Sequence, residues 1–259
     1  MFRAVASGDA KKFAELIGQD PGFNVNMSHD GNGWTLLHYA CLDSSSSPVI
    51  PLLLAQPDID VNVKDKYGRT PFYWACCGRP SSVREMLKDS RVKVNEADCT
   101  GLTPLCFASS RGHLDVIKWW IASGREMDLG KPGNVVKTDA IGVAKMYHRT
   151  EVVALLERFK SDIAKTRHAV RVELGLLDDL AAEMFAMVVF VSDGLLKIKD
   201  TTTTPAARFF SIVARLPLEL QMLLCFRQVG SAKEIILGKE SEVAFKSLAK
   251  NLEWSLCLL

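Results

Sequence analysis

One six-residue pattern occurs three times in this chain: TLLHYA at Thr35–Ala40, TPFYWA at Thr70–Ala75 and TPLCFA at Thr103–Ala108. The closing alanines Ala40, Ala75 and Ala108 stand 35 and then 33 residues apart. A motif recurring in order at that period describes a stack of small, near-identical units, because one such unit cannot bury its apolar face alone. A chain built this way presents a surface, and the expectation is contact rather than catalysis.

The third repeat, Asp98–Leu129, shows the mechanics most clearly. Thr103 caps a first helix, and Pro104 sits in its first turn, where a missing N–H is harmless. Leu105 and Ala108 fall on its inward face, and Gly112 ends it. Asp115 lies in the first turn of a second helix, whose apolar residues Val116, Ile117, Trp120 and Ile121 have helical spacing. Gly124 closes that helix. The pattern resembles the ankyrin repeat, with its Gly-x-Thr-Pro-Leu-His-x-Ala stretch, its Gly-His turn and its closing glycine. Repeat two matches through Asp65–Pro71 but carries Gly78-Arg79-Pro80 in place of Gly-His. Repeat one matches through Gly33–Ala40 and has a longer turn at Asp43–Pro48. Ala4–Ile17 and Ala140–Phe159 read as degenerate capping units, so the resemblance covers five units over about residues 1–160.

The resemblance implies a solenoid of paired helices whose loop tips and first helices form a concave surface for protein partners. By repeat register, the tip residues are Asn32 and Trp34, Tyr67 and Arg69, and Thr100 and Leu102. From these we take Trp34, Tyr67, Arg69 and Leu102 as partner-binding candidates, together with Lys131 and Asn134 in the Gly130–Asn134 loop. Apolar and aromatic residues on exposed tips are the kind that anchor interfaces. The alternative is that Trp34 folds back on the cap and Tyr67 packs on its neighbour. His38, Tyr73 and Cys106 occupy the position whose side chain ties adjacent repeats together, a role for which Cys106 is poorly suited. Trp74, Trp119 and Trp120 are expected in the core.

Beyond Phe159 helical periodicity continues without the repeat. Arg167–Val191 reads as one amphipathic helix that becomes apolar all round, closed by Ser192-Asp193-Gly194. The polar run Thr201–Pro205 reads as a linker. Three shorter helices follow, at Ala206–Ala214, Pro217–Arg227 and Glu240–Leu252. The fold class expected is therefore all-α: an ankyrin solenoid over residues 1–160 with a small helical domain over residues 161–259. Leu216-Pro217-Leu218-Glu219-Leu220, leading on to Leu224, resembles the opening of an F-box. That resemblance implies a second reading, a ubiquitin-ligase substrate receptor that recruits a Skp-type adaptor through Leu216, Pro217, Leu220 and Leu224.

Other function classes find little to rest on. With 32 Lys+Arg against 30 Asp+Glu, the formal charge is +2, and no run of basic residues reads as a patch for nucleic acid or a membrane. Seven cysteines without a C-x-x-C spacing suggest free, buried thiols in a reducing compartment. The start, MFRAVASGDAKK, lacks a secretory apolar core, and Leu180–Val191 is too short to span a bilayer. A cytoplasmic or nuclear protein is expected. The five histidines show no metal-ligand spacing, and Gly238-Lys239 lacks the rest of a phosphate loop. No catalytic residue, metal or cofactor is expected, and a small-molecule ligand is not.

Overall fold

The computed structural model describes residues 1–20, 22–28, 30–130, 138–194, 205–229 and 243–244. All regular structure among them is helical: α1 (Phe2–Ala6), α2 (Ala10–Gln19), α3 (Leu36–Leu42), a 3-10 helix (Ser44–Val49) and α4 (Ile50–Leu54) come first. They are followed by α5 (Pro71–Ala75), α6 (Pro80–Lys88), α7 (Pro104–Arg111), α8 (Leu114–Ser123), α9 (Ala140–Met146) and α10 (Thr150–Ser161). The last four are α11 (Ile163–Glu173), α12 (Leu176–Ser192), α13 (Pro205–Val213) and α14 (Leu218–Val229). The chain divides into two compact units, Met1–Val170 and Arg171–Leu259, so α11 belongs mostly to the first.

Within the first unit, each repeat is an antiparallel helix pair that buries its facing stripe against the next. Thr70 and Thr103 cap α5 and α7 by accepting the N–H of Tyr73 and Cys106, each at 3.2 Å. The core runs along the stack through Phe13, Leu36, Leu37, Ile50, Phe72, Met86, Leu105, Ile117 and Trp120, all fully buried. Phe72 meets Trp120 of the next repeat edge to face, with ring centres 5.0 Å apart.

Two polar ladders lock the repeats in register. Asn26, Asn62 and Asn95 each accept a backbone N–H from the following repeat, those of Asp60, Lys93 and Asp128. Asn26 and Asn62 also donate back to the carbonyls of Asp58 and Arg91. The second ladder consists of arginines at the carboxyl ends of the preceding repeat's helices. Arg79 reaches Leu42 at the end of α3 (2.6 Å), Arg91 reaches Leu54 at the end of α4 (2.6 Å), and Arg125 reaches Asp89 beyond α6 (2.7 Å). Arg149 reaches Ser110 in α7 (3.1 Å), and Arg167 reaches Ile121 in α8 (3.2 Å). A fixed cation there adds a donor to carbonyls at or near the helix ends, of which Asp89 and Ile121 also accept the N–H of Val92 and Gly124, and meets the negative end of the helix dipole.

The structure fills in one sequence expectation and corrects three. The long Asp43–Pro48 turn is largely a 3-10 helix: Asp43 accepts the Ser45 N–H, and the 3-10 helix runs on into α4. Ser46 is buried there and donates to the Val5 carbonyl at 2.7 Å, so the extra residues fasten the first repeat to the N-terminal unit. The helix expected across Arg167–Val191 is broken at Gly175, whose φ of 71° ends α11 and starts α12 anew. Of the three tryptophans assigned to the core, only Trp120 is fully buried. Trp119 is one residue, about 100°, around α8, so it lies half-buried beneath Arg84, beside a groove of about 510 Å³. Trp74 is half-buried in the loop-tip cluster described below. Finally, Cys99 is exposed, whereas Cys41, Cys76, Cys106 and Cys225 are buried as expected.

The second unit has its own small core of Ala181, Ala182, Phe185, Ala186, Val188, Val213, Cys225 and Phe226, contributed by α12, α13 and α14. Most of the helix expected at Glu240–Leu252 lies outside the described residues, as do the threonine run and Lys131 and Asn134. No described helix is long and apolar enough to cross a membrane.

Candidate functional site

The loops that join one repeat to the next share a local construction. An aspartate opens a tight turn with its side chain, and a glycine follows three residues later. Asp30 Oδ1 accepts the N–H of Asn32 and of Trp34, at 2.9 and 3.3 Å. Asp65 Oδ1 accepts those of Tyr67 and Arg69, and Asp98 Oδ1 those of Thr100 and Leu102, all at 2.9–3.0 Å. Neighbouring tips are then stitched by backbone: Lys66 donates to Asn32 and Cys99 to Tyr67, each at 2.9 Å. The approach is close enough that a Cβ on Gly68 would stand 2.8 Å from the Cys99 nitrogen.

Above this row, Asp65 gathers side chains from two repeats. Its Oδ2 accepts from the indole N–H of Trp34 and of Trp74, both at 3.2 Å, and from Arg69 Nε at 3.0 Å and Nη2 at 2.9 Å. Its side chain is 0% exposed, and that of Arg69 is 20% exposed. The Arg69 guanidinium lies 4.3 Å from the Tyr67 ring centre and 4.2 Å from that of Trp74. Trp34 meets Trp74 and Tyr39 edge to face at 4.8 and 5.3 Å, and the Tyr39 hydroxyl donates to Asp30. Burial alone would raise the Asp65 pKa. The Arg69 N–H and guanidinium, followed by the Tyr67 N–H and the Trp74 indole, outweigh it and hold the carboxyl below its ordinary value.

The sequence candidates are thus distributed unevenly. Trp34, Tyr67 and Arg69 come together in one cluster. Trp34 is half-buried against the neighbouring repeat, whereas Tyr67 remains 46% exposed. Leu102 stands apart on the next tip, half-buried. Leu216 and Pro217 precede α14, with Leu218 and Leu220 exposed and Gln221, Cys225 and Phe226 buried. Leu224 is half-buried.

Below the tips, the tying position works differently in each repeat. His38 Nδ1 accepts the Thr35 N–H at 3.1 Å, which leaves Nε2 to donate to the Arg69 carbonyl of the next repeat at 3.2 Å. Burial depresses the His38 pKa, although the Arg69 carbonyl and the Asp65 charge act the other way. Tyr73 makes the same reach with a longer side chain, donating to Asp98 Oδ2 at 3.3 Å. Among the described residues Cys106 makes no such tie to the following repeat, and burial raises the pKa of its thiol.

Asp65 itself was missed by sequence reasoning, although its spacing offers a signal. Asp30, Asp65 and Asp98 each precede a glycine by three residues and a tip residue by four.

No group of three or more metal-ligating side chains occurs among the described residues. What the tips offer is a rigid row of backbone carrying aromatic, cationic and apolar side chains.

Residues 1–98 match the family described as ankyrin repeats, in three copies. The repeat architecture expected from the sequence is therefore shown there, and the described helix pairs continue beyond the matched segment through α10. The F-box-like reading of Leu216–Leu224 gains no support from these matches. The human SMC5-SMC6 complex localization factor protein 1 is 29% identical over 180 residues, which is 66% of this chain and 17% of that protein. Its bovine counterpart is 39% identical over 93 residues, 36% of this chain and 9% of that protein. The human transient receptor potential cation channel subfamily A member 1 is 34% identical over 102 residues, 38% of this chain and 9% of the channel subunit. The chain thus spans less than a fifth of the length of each.

Proposed function

We propose that this chain is a non-enzymatic interaction module that holds a protein partner along its loop tips and inner helices. Tyr67 is the anchor, Arg69 and Leu102 flank it, and Trp34 acts from beneath by fixing the cluster. Lys131 and Asn134, outside the described residues, join the proposal by sequence register alone. The observation that carries this reading is the Tyr67 ring, large, aromatic and half exposed, standing on a tip already immobilised by Asp65, Arg69 and the backbone ladder. An anchor that is rigid before binding loses little entropy when a partner covers it. The relatives support an interaction role only in outline, since their names describe a localization factor and a channel subunit. A nuclear or cytoplasmic setting belongs to the same proposal.

Photo-crosslinking in cells tests it. A crosslinking amino acid at position 67 or 102 should trap one partner that the same group at Arg84, beside the outer groove, does not. Crosslinks from position 84 alone would put the contact on the wrong face. Exposed Leu218 and Leu220 favour the ligase reading as a second one. If Leu220→Glu leaves recovery of a Skp-type adaptor unchanged, or wild type recovers none, that reading ends.

A further inference from the structure

The edge of the array opposite the tips carries the turns between the two helices of each repeat, and its charge changes sign along the stack. Toward the N-terminus these turns hold Asp9 and Asp43, which cap α2 and the 3-10 helix. In the next three repeats the corresponding positions are Gly78-Arg79, Gly112-His113 and His148-Arg149, with Arg111 beside the second.

The fold presses these basic groups together. The His113 ring lies over Gly78, where a Cβ would meet it at 2.7 Å, and the Arg149 stem lies over Gly112, where a Cβ would meet it at 2.9 Å. Arg79 and Arg149 use Nε to hold Leu42 and Ser110, and Arg79 Nη1 also reaches the Gly78 carbonyl at 3.3 Å. Arg111 is exposed, with its guanidinium 5.7 Å from the centre of the Phe107 ring. Among the described residues none of the three arginines is within ion-pair distance of a carboxylate. Burial, then Arg111, Arg79 and Arg149, depress the His113 pKa, as expected for a ring held among cations, of which Arg79 also acts on the Asp43 carboxylate. The same turn exposes two large apolar side chains, Met146 at 70% and Tyr147 at 56%.

We propose that this edge is a second docking surface, formed by Arg79, Arg111, His113 and Arg149 with Met146 and Tyr147, for a short acidic segment of a protein partner that carries an apolar residue. A protein segment fits better than nucleic acid for two reasons. A long polyanion following the edge would run onto Asp43 and Asp9, and exposed Tyr and Met beside Arg are interface-type side chains rather than phosphate contacts. The surface is separate from the tips, so it extends the array's reach instead of duplicating it.

The probe is a short fluorescein-labelled peptide rich in Glu and Asp and carrying one Phe, titrated onto the full chain by fluorescence anisotropy at low salt. Binding is expected, weakening as salt rises. Arg111→Glu should weaken it about fivefold to tenfold, the loss of an attraction and the gain of a repulsion at an exposed site. Arg111 makes no hydrogen bond or ion pair among the described residues, so this reversal leaves the fold standing, which far-ultraviolet circular dichroism checks. Tyr147→Ala should weaken the Phe peptide more than a Phe-less version, and Tyr67→Ala should change neither, which keeps this test distinct from that of the tips. Peptide binding that is absent at low salt or indifferent to Arg111→Glu overturns the proposal. So does a site that takes duplex DNA or inorganic phosphate but no peptide.

Discussion

Replacing Asp65 by alanine should damage the array far more than its place in a surface loop suggests. Substitution strands the Arg69 guanidinium, two indole N–H groups and the N–H groups of Tyr67 and Arg69, all of which converge on this carboxylate. Removing one member of a buried ion pair costs about 3–5 kcal/mol, whereas an exposed pair contributes at most about 1 kcal/mol. Asp65 is enclosed, but the 20% exposure of Arg69 lets the guanidinium recover some hydration. The lower end, about 3 kcal/mol, is therefore the expected loss. For a unit of this size it corresponds to a fall in Tm of about 6–12 °C. Asp65→Asn keeps an oxygen for the turn but turns its NH2 toward the two indole N–H groups and the guanidinium, which then lack an acceptor, so a loss of about 3 kcal/mol, similar to that of the alanine variant, is expected. Urea unfolding followed by tryptophan fluorescence measures both, with Trp34 and Trp74 reporting from the cluster itself. Arg69→Met alone and with Asp65→Asn completes a double-mutant cycle, and coupling of about 1 kcal/mol or more is expected between the pair. The reasoning fails if both Asp65 variants unfold within about 0.5 kcal/mol of wild type, the range of ordinary surface substitutions.

Gly68 and Gly101 share a left-handed backbone; among the described residues a Cβ on Gly68 would meet the neighbouring backbone at Cys99, whereas one on Gly101 would meet nothing. Gly101→Ala should cost about 1 kcal/mol of conformational strain, and Gly68→Ala at least about 2 kcal/mol more once the tip ladder must move; equal urea midpoints would refute the close approach. Tyr73→Phe should cost about 1 kcal/mol through the lost bond to Asp98 while leaving the core intact, read from the same unfolding curves. His38 has a folded pKa below its ordinary 6.5, so between those values the unfolded chain binds the extra proton. Stability should accordingly begin to fall as pH drops below about 6.5 and level off beneath the folded pKa, and a His38→Gln variant should show a shallower decline over that window. His113, also depressed, adds a loss of the same sign that the variant retains.

Much of the array was legible because its information is local. Thr-Pro at a helix start, alanine at a close crossing and apolar residues at helical spacing each act within a few positions, and threefold recurrence removes the ambiguity of any single instance. What stayed hidden involves partners one repeat away. Trp34 is readable as a tip residue, but nothing near it in the sequence announces that its indole N–H reaches Asp65 of the next repeat, 31 positions later. The helix break at Gly175 was hidden for the opposite reason. The apolar spacing runs straight through it, and periodicity alone cannot distinguish one long helix from two that share a face.

The amino-acid order by itself determined the repeat, its helix pairs and the positions that would reach the tips, because those follow from backbone preferences and burial over short stretches. Only the tertiary structure decided which charges meet. Arginines about 35 residues apart are scattered in the chain and read as no patch at all, but stacking at one turn per repeat brings Arg79, Arg111 and Arg149 around a single histidine. The electrostatic field of a solenoid depends on distances across the stack, and these exist only once the repeats have packed.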